Sequence, residues 1–198
     1  TILPLIEYRT IGQSKMLHQF CMALVLIFSP LLSTITQQVQ ATGQQVDDFE
    51  LNDFRGNAVA LSDYKEAKVV VLVVLGTECP LAKLYGSRLQ ELNTRFGSEV
   101  AFIGLNANTQ DSVTEIAAYA RRHKIVFPIL KDLGNKIVDV LGAVRTPEVF
   151  VLDSQDRIRY QGRIDDQYST GVIRNSAKRE FLADAVIALL AGRNPRKS

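Results

Sequence analysis

The residue best suited to chemistry lies in the stretch LGTECPLAK, Leu75 to Lys83. Cys79 there follows a run of β-branched residues and precedes a proline-led helical pattern. The thiolate is the nucleophilic form of cysteine, so surroundings that favour an anion make the residue reactive. Pro80 suits the first position of a helix, which predicts Cys79 at or next to the N-cap. Unpaired backbone N–H groups and the positive end of the helix dipole favour an anion there. Lys83, four residues on, is expected to add positive charge, whereas the carboxylate of Glu78 opposes it unless it points away. The competing reading is a small buried hydrophobe, a common fate of cysteine. Position alone leaves both open, and Pro80 favours a site. Redox motifs of the Cys-x-x-Cys kind carry a second cysteine three residues on. Here that residue is Ala82, which excludes a self-contained dithiol cycle.

The remaining chemical groups are sparse. His18 and His123 are too few and too far apart for a metal cluster, and His123, among Arg121, Arg122 and Lys124, reads as a surface helix position. Asp165-Asp166 is either an acid/base pair or a turn and cap pair, the second being the usual role beside a strand end. Glu148 either faces the thiol and tunes it or lies at a strand edge in solvent. Asn106 and Asn108 end a strand, where polar loop residues are expected. No cofactor and no metal are implied. The chain has 198 residues, 46% hydrophobic, with a formal net charge of +2. That composition fits one globular domain, and its scattered basic residues argue against nucleic-acid binding.

The elements that must position Cys79 alternate between strand and helix. FELNDFRG and NAVALSDYK read as an early extended pair turned at Arg55-Gly56-Asn57. KVVVLVVLG is a continuous β-branched apolar run, the mark of a strand buried on both faces. Leu81, Leu84, Tyr85, Leu89, Leu92 and Phe96 then follow helical spacing to a C-terminal cap at Gly97. A second buried strand, EVAFIGLNAN, leads to a capping box at Ser112 and Glu115. VFPILKD is a short strand and LGNKIVDVLG a short helix closing at Gly142. TPEVFVLDSQDRIRYQG predicts a hairpin turned at Asp153–Asp156, and Ser176 to Leu190 a final amphipathic helix. This order predicts a three-layer α/β sandwich.

Residues 1–41 differ in kind. A weakly positive start at Lys15, an apolar run from Phe20 to Phe28 and a polar stretch ending Val39-Gln40-Ala41 form a secretory signal pattern, with Met16 as its start. Ser29-Pro30 interrupts the run short of the roughly 20 apolar residues of a membrane span. The expectation is an exported, periplasmic protein with no stable span after cleavage and one domain over residues 42–198. Cleavage removes Cys21 and leaves Cys79 as the one thiol.

VVLGTECPLAKLY resembles the active-site turn of the thioredoxin-like superfamily, and VRTPEVFVLD its later cis-proline segment. FELNDFRGNAVALSDYKEAKVVVLVVL is similar to the N-terminal hairpin and first core strand of the AhpC/TSA and redoxin branch. RYQGRIDDQY is similar to the final strand of exported redoxin-domain proteins. The resemblance runs from about Phe49 to Leu190. It implies a thioredoxin-like α/β/α fold with a central mixed sheet and an N-terminal β-hairpin. It implies that Cys79 attacks a protein disulfide or a peroxide, with Thr146 and Pro147 opposite as the cis-proline pair. An external thiol reductant or redox partner protein must then complete the cycle. The branch's peroxidases carry a threonine three residues before the cysteine, but that position is Gly76 and Thr77 lies two before. Arg145 corresponds to their late-strand arginine, with longer spacing to Asp153. The resemblance also admits a binding module that keeps the groove at Pro147 and leaves Cys79 packed.

Overall fold

The computed structural model describes residues 42–196. The expected leader, its start at Met16 and Cys21 lie outside the described residues. Among those described, no helix is long and apolar enough to cross a membrane.

The first strands of the described residues form a short antiparallel hairpin, β1 (Glu50–Asn52) and β2 (Ala58–Ala60), followed by a 3-10 turn at Leu61–Tyr64. β3 (Val69–Val74) follows, then α1 (Pro80–Phe96), β4 (Val100–Asn106), α2 (Val113–His123), β5 (Ile129–Lys131) and α3 (Lys136–Leu141). A hairpin of β6 (Glu148–Asp153) and β7 (Ile158–Gly162) comes next. Two very short strands, β8 (Tyr168–Ser169) and β9 (Val172–Ile173), precede α4 (Phe181–Leu190).

The central sheet has the order β5-β4-β3-β6-β7. β3, β4 and β5 run parallel, and β6 and β7 are antiparallel additions. All six residues of β3 are buried, as a strand covered on both faces requires. Val69, Val71, Val73 and Leu75 pack with Tyr85, Leu89 and Leu92 of α1, Ile116 of α2 and Leu182 and Val186 of α4. Val70, Leu72 and Val74 face the other way, toward Val46, Leu61 and α3 residues Val138 and Leu141. Each such fully buried side chain contributes about 1.5–3 kcal/mol of apolar burial. The result is the expected thioredoxin-like α/β/α sandwich with a mixed sheet and an N-terminal hairpin.

Local signals hold where they are strong. Pro80 opens α1 at its first turn, and Gly97, at φ 59°, caps its end. Ser112 and Glu115 form the capping box of α2, with Glu115 N–H to Ser112 Oγ at 3.2 Å and Ser112 N–H to Glu115 Oε2 at 2.7 Å. The last helix differs from expectation, beginning at Phe181 rather than Ser176. Asp166 accepts the N–H groups of Lys178 at 2.7 Å and Arg179 at 3.0 Å, holding the preceding segment out of helix.

His123 is the second departure, because it is packed between helices rather than displayed. Its ring lies 4.5 Å from that of Tyr119, with Nδ1 3.3 Å from Ser87 Oγ. A Cβ added to Gly86 would meet His123 Cγ at 2.4 Å, so the glycine is what lets α1 approach the ring. Glycine to alanine inside a helix normally stabilises by about 1 kcal/mol. Here overpacking of about 1–3 kcal/mol opposes that gain. Gly86→Ala is therefore expected to destabilise the protein and to stabilise it in a His123→Ala background. Urea unfolding of the four variants reads the change of sign, and a cost that persists without the ring would refute it.

Candidate active site

Cys79 sits at the N-cap of α1 with extended backbone, φ −65° and ψ 119°. It is half-buried and is the one free cysteine among the described residues. The strand-to-helix turn closes on itself, Cys79 N–H donating to the Gly76 carbonyl at 3.2 Å. The thiol donates to the carbonyl oxygen of Thr146 at 3.2 Å. The Thr146–Pro147 peptide bond is cis. Two segments 67 residues apart thus meet at the sulfur, brought together by antiparallel pairing of β3 with β6.

The turn before the cysteine hangs on a buried carboxylate that the sequence did not single out. Asp111 accepts Thr77 N–H at 2.7 Å and the side-chain amides of Asn106 at 2.6 Å and Asn108 at 2.8 Å. Lys131 closes the cluster from β5, donating to Asn106 Oδ1 at 3.0 Å and to the Asp111 carbonyl at 2.7 Å. Burial would raise the Asp111 carboxyl, but the bonds from Thr77 and Asn106 and the charge of Lys131 outweigh it and hold the group below its ordinary value. Asn106 and Asn108 are therefore struts of this cluster rather than plain loop residues. The only available signal was the crowding of polar residues in NANTQDS after a buried strand.

Beneath the helix, Tyr119 donates its hydroxyl to the Ala82 carbonyl at 2.7 Å. Burial, with Cys79 nearby, pushes that hydroxyl's pKa up. Tyr85 donates to Asp165 Oδ1 at 2.6 Å, receives Tyr168 N–H at 3.2 Å and meets the Tyr168 ring edge-on at 5.0 Å. Asp165 also faces Arg88 Nε at 3.6 Å. Asp165 and Asp166 are structural partners of a tyrosine and of a backbone turn, not an acid/base pair. Together they fix β8 and β9 beside the thiol.

The expected site residues divide into two groups. Cys79, Thr146 and Pro147 come together. Thr77 is buried behind the turn, tied by its N–H to Asp111. Arg145 is exposed at the rim, its Nη2 3.5 Å from Glu148 Oε1. Glu148 itself is 1% exposed and accepts Val144 N–H at 2.9 Å, so it is not a solvent-edge residue. Glu78 and Lys83 pair with each other at 2.9 Å. A Cβ at Gly76 would lie 3.7 Å from Cys79 Cβ and 3.8 Å from Thr146 Oγ1, so this position faces the site without carrying a hydroxyl.

One cavity opens at the thiol and a second lies beside it. The larger, about 680 Å³, runs between Cys79, Pro80, Leu81 and Leu84 on one side and Val172 and Ile173 on the other. The smaller, about 250 Å³, lies past Thr146 and Pro147 against Arg145, Arg163 and Tyr168. Ser169 and Thr170 border both. The β8–β9 wall was not expected from sequence, since strands of two residues show no alternation. Gly171, at φ 73°, between Thr170 and Val172, was the one turn signal.

Residues 42–161, more than half the sequence, match the AhpC/TSA family. The chain belongs to the AhpC/TSA family. Among its relatives is the thiol-disulfide oxidoreductase ResA of Bacillus thuringiensis subsp. konkukian, 25% identical over 117 residues, 59% of this chain and 66% of that protein. The chloroplastic peroxiredoxin Q of Oryza sativa subsp. japonica is 28% identical over 128 residues, 60% of this chain and 57% of that protein. The matched region thus spans less than two thirds of these two relatives. An uncharacterized conserved protein from Geobacillus kaustophilus has a solved structure with a TM-score of 0.71. It is 26% identical, with 78% of this chain and 85% of that one covered.

Proposed function

We propose that this AhpC/TSA domain is an exported thiol oxidoreductase that exchanges disulfides through Cys79 alone. The observation that carries the reading is the half-buried thiol at the N-terminus of α1, 3.2 Å from the carbonyl of the cis Thr146–Pro147 pair. In the reaction the Cys79 thiolate attacks one sulfur of a substrate disulfide. The substrate S–S bond breaks, its second sulfur leaves with the electron pair and takes up a proton, and a mixed disulfide remains on Cys79. With alanine at position 82, a thiol from a reductant or partner protein attacks that mixed disulfide and returns Cys79 to the thiol. The apolar leader pattern at Phe20–Phe28 supports export, and the resemblance to ResA supports exchange.

Peroxide reduction, supported by the resemblance to peroxiredoxin Q, would instead transfer one peroxide oxygen to Cys79 as sulfenic acid. Gly76 offers no hydroxyl toward the sulfur, and Arg145 is engaged with Glu148. Both favour exchange. Intact mass of the reduced Cys21→Ser protein and of the same protein with Cys79→Ser, each treated separately with a model disulfide and with hydrogen peroxide, tests the choice. The expected result is rapid addition of the disulfide's half-mass to the cysteine protein and none to the serine control. Faster oxygen addition from peroxide would assign a peroxidase. Inertness toward both would leave a binding module with a packed cysteine.

A further inference from the structure

We propose that the groove at Cys79 selects a protein disulfide whose cysteine is flanked by an apolar side chain on one side and a carboxylate on the other. The inference rests on the exchange reading and adds the class of substrate. The thiol lines the larger of two neighbouring cavities, and the smaller begins at Thr146, whose carbonyl the thiol touches. The larger is walled by exposed apolar residues, Leu84 at 40%, Val172 at 38% and Ile173 at 74% exposure. At about 680 Å³ it far exceeds a peroxide and accommodates side chains of an extended peptide. Burying one such side chain there is favourable in proportion to the apolar area removed from water.

The smaller cavity is more polar and carries charge at its rim. Arg145 and Arg163 line it, and the carboxylate in its wall, Asp165, is already held by Tyr85 and Arg88. Arg145 faces the buried Glu148, while Arg163 is exposed and has no carboxylate partner among the described residues. The charge left over at that end is positive, so the complementary occupant is an acidic side chain. Ser169 and Thr170, shared by both cavities, let one extended segment cross from one to the other past the sulfur.

Synthetic peptides test this on the reduced full chain carrying Cys21→Ser, in which Cys79 is the one thiol. Each carries one cysteine joined through a disulfide to 2-thiopyridine, flanked by leucine and glutamate, leucine and lysine, or serine and glutamate, in both orders. Cys79 attacks the peptide sulfur, the bond to the pyridine sulfur breaks, and 2-thiopyridine leaves with the electron pair and is followed by absorbance. In the better order, the leucine–glutamate peptide is expected to react about tenfold faster than either other peptide, the size of one charge-assisted or apolar contact. Arg163→Glu should reverse the preference for glutamate over lysine. Val172→Ser with Ile173→Ser should erase the preference for leucine. Arg121→Glu, an exposed charge change on α2, should alter neither. Equal rates for all peptides, or an unchanged charge preference in Arg163→Glu, overturn the proposed selection while leaving exchange intact. No reaction with any peptide overturns the exchange reading and the selection with it.

Discussion

After reaction with a model disulfide, Ala82→Cys protein is expected to shed the bound thiol on its own as the introduced thiol closes a disulfide with Cys79, where the natural protein is expected to hold its mixed disulfide until an external thiol is added. Residues three apart at a helix start are neighbours on one face, with Cβ atoms roughly 5–6 Å apart. A disulfide needs a Cβ separation of roughly 3.5–4.5 Å. Cys79 is the N-cap, outside the regular helix, and has extended backbone, so the remaining gap falls on the more adjustable residue. Ala82 is 0% exposed, so the new thiol would lie inside the first turn rather than in solvent. A tethered thiol acts at an effective concentration of about millimolar. Against a micromolar external thiol, release should therefore be about a thousandfold faster. Intact mass after a stoichiometric disulfide pulse reads this directly. A folded Ala82→Cys protein that retains its mixed disulfide as long as the natural one would show that position 82 is not where the cycle lacks its second sulfur.

Asp111→Ala is expected to give the largest loss of stability among single changes around the site, about 3 kcal/mol or more, because it orphans a buried polar cluster. Thr77 N–H and the amides of Asn106 and Asn108 would lose their acceptor, and the charge of Lys131 its nearby opposite. The turn carrying Cys79 would lose its anchor, so amide exchange at Thr77 should accelerate more than in β3. The pH dependence has a definite sign. The folded protein holds the Asp111 carboxyl below its ordinary value. Its ionised form therefore stabilises the fold above the unfolded pKa, about 3.9. That contribution disappears as pH falls through the lower folded value. The stability gap between natural protein and variant, measured by urea unfolding from neutral pH downward, should be constant above the unfolded value and shrink below it. A gap that does not narrow in acid would mean that the carboxylate charge is not what holds the turn.

Glu148 illustrates why a residue beside a recognisable motif can still be misread. Its place next to Pro147 suggested either a group tuning the thiol or a solvent-facing edge. The solvent edge is excluded, because Glu148 is buried and accepts the N–H of Val144, which follows α3 and the turn at Gly142. Nothing in the residues around it encodes that loop's path. His123 was obscured in the same way. Its charged neighbours suggest a surface, while the space for its ring comes from Gly86 on a different helix. The β8–β9 wall was hidden because its strands are too short to show alternation, and tertiary bonds from Tyr85 hold its base.

By itself the sequence determined whatever depends on neighbours along the chain. The β-branched run Val69–Val74 had to be a covered strand, Pro80 and Gly97 had to bound the helix after it, and Cys79 had to stand at that junction. Those features follow from backbone preference and from periodicity, which act over a few residues. Only the tertiary structure decided what surrounds the sulfur. The Thr146 carbonyl and the strand at Val172–Ile173 reach Cys79, and Asp111 reaches the turn before it, from far along the chain. Their arrival depends on strand pairing and core packing across the whole domain, which no local pattern records. The alanine at position 82 is legible in one dimension, while the groove beside Cys79 exists only in three.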